Sequence, residues 1–168
     1  MSYDSREDTI KHQINVQERM DDIGRLLRTR SAMHDVSKLV SPEKAVFDEM
    51  TPLLKDCTYG SDEYKGFLER MKPALDHHYK HNRHHPEHHK NGIAAMSLID
   101  LIEMLCDWKA AGERHTDGSI FKSLMHNRNR FEIEQDLFRT LCVTAKELNW
   151  ITTEECNDLI YLAIVGNV

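Results

Sequence analysis

No run of about 18 apolar residues occurs anywhere in the 168-residue chain, which excludes a membrane-spanning helix at the level of sequence. An apolar leader is missing as well. The first residues, Met-Ser-Tyr-Asp-Ser-Arg-Glu-Asp, are polar, and a cytoplasmic protein with no membrane partner is expected. Cysteine is sparse: Cys57, Cys106, Cys142 and Cys156 form no Cys-x-x-Cys pair. That argues against a disulfide framework or a zinc ribbon and suits a reducing compartment. The four thiols read as small core-filling side chains. Basic charge is not in excess either. Against 22 Lys and Arg stand 28 Asp and Glu, a net charge of −6, so the chain lacks the electrostatic footprint of a duplex-binding domain. Sustained period-two alternation is absent, and no Asn-Gly or Asp-Gly lies between β-branched runs, so no sheet is expected.

What is present is ordinary globular material, 40% hydrophobic and 30% charged. A chain of this length buries roughly 70% of its unfolded surface and needs no covalent staple. The expectation is one all-α, bundle-like domain of about six to eight helices over residues 1–168.

Apolar residues recur at helical spacing almost throughout. Ile10, Ile14, Met20, Ile23, Leu26 and Leu27 predict a helix over about 7–29 with one apolar stripe. Ser31 is read as the cap of a short helix carrying Met33, Val36 and Leu39. Ser41-Pro42 signals the next start, with Pro52 near its end. Asp56 to Gly60 reads as a loop. Ser61 opens a helix carrying Tyr64, Phe67, Leu68, Met71 and Leu75, which Pro73 is expected to kink. His81 to Gly92 reads as loop, and Ile93 to Ala111 as a long apolar helix. Asp117-Gly118-Ser119 is read as turn and cap for a short helix through Met125, which Asn127 to Asn129 would break. A further helix follows over about 134–149. Thr152 and Glu155 form a capping box for the last one.

Histidine is the anomaly. The chain has 11, and seven of them lie in His77-His78-x-x-His81-x-x-His84-His85-x-x-His88-His89. Outside this stretch stand His12 in the first helix and the doublet His34-Asp35, followed by Lys38. His115 and His126 read as structural or exposed. Asp100, Glu103 and Asp107 fall at i, i+3 and i+7 on an otherwise apolar helix, one face of it. A buried carboxylate must be paired or metal-bound. Asp100 and Glu103 read either as solvent-facing or ion-paired, or as site residues, whereas Leu105, Cys106 and Trp108 crowd Asp107 towards the site reading. Imidazole with carboxylate suits a borderline divalent ion. Since adjacent helical side chains point about 100° apart, at least one of His77 and His78 is expected to ligate a metal and His84 or His85 to line the pocket. His81, His88 and His89 are expected to face solvent or bond to backbone.

His12, then His34-Asp35-Val36-Ser37-Lys38, then Met104-Leu105-Cys106-Asp107-Trp108-Lys109-Ala110-Ala111 resembles the HD-domain metal-dependent phosphohydrolase superfamily over about residues 8–111. In that family a His, a His-Asp doublet and a later Asp bind a metal, and two-metal branches add a His-His pair, here matched by His77-His78. The resemblance implies an HD-like helical domain whose C-terminal helices, about 119–165, complete the bundle. His12, His34, Asp35 and Asp107 would be metal ligands, joined by His77 and His78. One or two ions of Mn, Co, Ni, Fe or Zn are implied. The segment Arg83-His84-His85-Pro86-Glu87-His88 replaces the Gly-Tyr-Pro of the cyclic-dinucleotide branch, and Lys38-Leu39 the acidic pair of the guanosine-tetraphosphate branch. The whole chain also resembles an uncharacterised family of small bacterial and phage proteins through Met71-Lys72-Pro73-Ala74-Leu75-Asp76-His77-His78-Tyr79 and His84-His85-Pro86-Glu87-His88.

The implied activity is hydrolysis of a small phosphate ester, a nucleotide being the expected substrate, by a metal-activated water. Lys38, Lys80, Arg83, His84 or His85 would hold the phosphate, and Glu103 or Glu43 would serve as base. Two alternatives stay open: a di-iron oxygenase on the same fold, and a metal- or nucleotide-binding module without catalysis. A homodimer is compatible with all three.

Overall fold

The computed structural model describes residues 3–56, 62–114 and 118–166. Among them are seven α-helices and no strand, so the all-α expectation is met. The helices are α1 (Arg6–Met33), α2 (Glu43–Asp56), α3 (Asp62–His81), α4 (Leu98–Gly112), α5 (Ile120–Arg130), α6 (Gln135–Glu147) and α7 (Thr153–Val165), with 3-10 turns at Val36–Leu39, Pro86–His88 and Gly92–Ala95. Among the described residues no helix is long and apolar enough to cross a membrane. The chain divides into two compact units, Met1–Val36 and Ser37–Val168, where sequence alone suggests one domain.

The first unit is α1 and its C-terminal turn. Glu7 and Asp8 in its first turn and Arg30 in its last complement the helix dipole. The helix does not stop near residue 29 to start again at Ser31; it runs unbroken to Met33, because Thr29, Arg30, Ser31 and Ala32 include no helix breaker. Its apolar positions Ile10, Ile14, Met20, Ile23 and Leu26 are exposed, so the expected burial of that stripe is not observed.

The second unit has its main core between α4, α5, α6 and α7. Leu101, Met104, Leu105, Trp108, Ile120, Leu124, Phe138, Leu141, Cys142, Ala145, Cys156 and Leu159 fill it. Cys142 and Cys156 pack there as expected, but Cys106 lies on the exposed side of α4. Ser97 starts α4 through a reciprocal box with Asp100, four residues after the expected start at Ile93. Thr152 and Glu155 form the box that starts α7. Ser119 caps α5 by accepting from Lys122 N, and α5 continues through Asn127 to Arg130 rather than breaking there. Gly118 is required at this corner, since a Cβ would overlap the Gly112 carbonyl oxygen. Cys57, Ser61, His115, Asp117 and most of the expected 56–60 loop lie outside the described residues.

Helices α2 and α3 pack on each other with Met50, Met71 and Ala74 buried. Pro52 and Pro73 lie inside these helices without ending them. The segment after α3 is wound into two 3-10 turns rather than open loop.

Candidate metal centre

Glu43 opens α2, and its side chain is fully buried. Three donors converge on it. His77 Nδ1 lies 2.7 Å from Oε1. His78 Nδ1 lies 2.9 Å from Oε2, and the Ser37 hydroxyl donates to the same oxygen at 2.9 Å. Burial alone would raise the Glu43 carboxyl, but the bonds from His77, Ser37 and His78 outweigh it and the net shift is downward. A carboxylate that accepts from Nδ1 holds the imidazole proton on that nitrogen and leaves the lone pair on Nε2. Asn82 completes the frame, donating to the Ser37 hydroxyl and to the His78 carbonyl, both at 2.8 Å. Glu43, read from sequence as a spare base, has its carboxylate bonded to His77, His78 and Ser37.

His78 is almost fully buried, and its Nε2 meets His85 Nε2 at 2.9 Å. His84 is also buried, with its ring centroid 4.1 Å from that of His85. Glu103 Oε1 lies 3.2 Å from His84 Nδ1, a second carboxylate placed behind an imidazole. His78, His84 and His85 each bring a ring nitrogen within 4.8 Å of the other two. Nitrogens bound to one ion at about 2.0–2.1 Å lie at most about 4.2 Å apart, and the His78–His85 separation falls inside that span. Donor type, spacing and the carboxylates behind two of the rings fit a borderline divalent ion.

The remaining histidines of the stretch are otherwise occupied. His77 is bonded to Glu43 and stacks on His81 at 4.1 Å. His81, His88 and His89 donate to the carbonyls of His77, Tyr79 and Arg83, as expected for residues outside a site.

The three acids of α4 have separate tasks. Asp100 is fully buried, accepts from the Ser97 amide and hydroxyl, and receives Arg83 Nε and Nη2 at 3.2 and 3.0 Å. The Arg83 guanidinium, expected on a phosphate, is thereby tied to α4, with half of its side chain exposed. Glu103 stands behind His84, and Asp107, half-buried, lines a cleft. Lys38 places its ammonium 5.0 Å from the Phe47 ring.

In the first unit, His12 lies exposed in the second turn of α1 and His34 caps its C-terminus. Twenty-two residues of one unbroken helix separate them, about 33 Å at 1.5 Å per residue. The two histidines do not converge, and a ligand set containing both is corrected. Asp35 follows with φ of 56°, in the left-handed region that non-glycine residues rarely adopt. Its Oδ2 lies 3.7 Å from His34 Nε2.

A cleft of about 440 Å³ opens beside the histidines. His85 and Asp107 line it, and so does one face of α5: Ser119, Lys122, Ser123, His126, Asn127 and Arg130. Sequence reasoning missed this face. The spacing of Lys122, His126 and Arg130 at i, i+4 and i+8 was its visible signal.

The chain belongs to the family of unknown function DUF5662, whose sequence model matches residues 1–154. No curated protein and no solved structure matches it.

Proposed function

We propose that this DUF5662 protein is a metal-dependent phosphohydrolase acting on a small phosphate ester such as a nucleotide. The observation that carries the reading is the His78–His85 pair, Nε2 to Nε2 at 2.9 Å, on the edge of a cleft that His85 also lines. His78, His84 and His85 would hold the ion, which suits Mn, Co, Ni, Fe or Zn. Bound there, such an ion would supply a water of lowered pKa and a Lewis acid for a phosphoryl oxygen.

The chain's own residues prepare that chemistry. Glu43 fixes the His78 tautomer and Glu103 that of His84, so both rings offer Nε2 in the neutral form that metal binding requires. Asp107 and Arg130 line the same cleft as His85. Asp107 there can take a proton from the attacking water as its oxygen bonds to phosphorus and return that proton to the departing alkoxide as the ester P–O bond breaks, while Arg130 holds the phosphoryl oxygens. The cations Arg130 and Lys122 on the wall of the cleft that His85 lines support phosphate-ester hydrolysis over storage, with a cytoplasmic nucleotide as substrate.

The test is elemental analysis of the purified protein with a phosphate-release screen over nucleotides, repeated on His84→Gln and His85→Gln. Bound transition metal and phosphate release are expected in the wild type. Metal affinity should fall at least about tenfold in each variant, with helix content by circular dichroism unchanged. A metal-free wild type, or variants with unaltered metal content, overturns the reading. Iron with oxygen consumption and no phosphate release replaces hydrolysis by oxygenase chemistry.

A further inference from the structure

The face of α5 that lines the cleft is more than a boundary. Ser119, Lys122, Ser123, His126, Asn127 and Arg130 recur at helical spacing, and none carries an apolar side chain. Three of these groups, Lys122, His126 and Arg130, are one turn apart in a single row, spanning about 12 Å along the helix axis.

The row has a direction. Arg130 lies at the histidine end: its Nη2 meets Glu87 Oε1 at 2.6 Å, it is hydrogen-bonded to Tyr79, and its guanidinium lies 4.7 Å from the Phe131 ring centroid. Tyr79 in turn sits 4.9 Å, ring to ring, from His85. A guanidinium fixed on three sides is pre-organised for a planar, multidentate contact with phosphate oxygens. Lys122 is two turns further on, next to the capped start of α5. Asn127, almost fully buried, adds an amide to the same wall. Asp107 is the repulsive group on the lining, and the two cations Lys122 and Arg130 outnumber it.

From this row we infer that the cleft takes a ligand with several phosphates in a line, such as a nucleoside di- or triphosphate, rather than a single phosphate. Arg130 receives the phosphate nearest His85, while His126 and Lys122 read the more distant ones. A lone phosphate needs only one end of the row, and a cleft of about 440 Å³ falls within the range of small-molecule sites. The assignment of Arg130 to the reacting phosphate rests on the hydrolase reading; the polyphosphate preference of the row does not.

The experiment compares equilibrium binding of imidotriphosphate, whose nitrogen bridges resist hydrolysis, with that of orthophosphate. The wild type, Lys122→Ala and Lys122→Arg are used, with metal content measured on the same samples. Lys122 is exposed, so its replacement leaves the core intact. The wild type should bind imidotriphosphate at least about tenfold more tightly than orthophosphate. Lys122→Ala should weaken imidotriphosphate about fivefold and leave orthophosphate and metal content unchanged, and Lys122→Arg should restore the affinity. Equal affinity for the two anions, or imidotriphosphate binding indifferent to Lys122, overturns the inference. Lys122-dependent binding by a protein that holds no metal sustains the inference while the hydrolase reading fails. Metal with phosphate release but no imidotriphosphate preference does the reverse.

Discussion

Replacing Glu43 tests the frame on which the histidine cluster stands. The carboxylate is fully buried and accepts from His77, His78 and Ser37. Glu43→Ala removes the acceptor that the three donors share and leaves the buried His78 Nδ1 only the neutral Ser37 hydroxyl, 3.1 Å away, to donate to. Breaking a buried charge-assisted set of this kind costs about 3–5 kcal/mol. In a chain of this size each kcal/mol moves Tm by about 2–4 °C, so a drop of roughly 6–20 °C is expected. Glu43→Gln keeps the volume and one carbonyl oxygen. Its lowest-cost orientation keeps that oxygen on His78 and Ser37 and turns the amide towards His77, which is one-third exposed and can reach water. One charge-assisted bond is lost, about 1.5–3 kcal/mol. Thermal unfolding followed by circular dichroism reads the stability, and elemental analysis reads the metal. Metal affinity should fall about 10- to 100-fold in Glu43→Ala, because His78 loses the partner that fixes its tautomer. The reasoning fails if Glu43→Ala melts within about 2 °C of the wild type, well short of the expected shift.

Asp100→Ala should destabilise by about 2–4 kcal/mol, because the carboxylate's half of the α4 capping box and the Arg83 ion pair go together; metal content should stay unchanged, and its loss would show that Asp100 belongs to the site rather than the scaffold. Burial, followed by the neighbouring Cys156, pushes the Cys142 thiol up to about 12. A raised acid pKa leaves stability intact below the ordinary thiol value of about 9 and erodes it as pH climbs from there towards 12, because only the unfolded chain ionises. Denaturant titrations across that window should show Cys142→Ala losing less stability with pH than the wild type, and parallel losses would refute the assignment.

Helix type and several boundaries were legible because they are decided locally. The Thr152–Glu155 box lies within one turn, and its residues alone announce α7. The Ser97–Asp100 box was missed because aspartate replaces the longer acid usual at that position, so the start of α4 was set at the apolar Ile93. The histidine-rich stretch marked the candidate site, and the backbone bonding of His81, His88 and His89 followed from their excess over what one small site can use. Packing decided the rest. Glu43 and His78 are 35 residues apart, and Ser37 and Asn82 are 45 apart, so no periodicity shows that they meet. The 28-residue continuity of α1 turned on a weak local preference near Ser31, and that preference set the separation of His12 from His34. Residue type limits which atoms can ligate or hold a proton. Only the packing of α2 on α3, and of the His84–His85 segment beside them, brings a carboxylate behind one imidazole and a second imidazole in front of it, because those contacts form between elements whose order in the chain does not encode their distance in space.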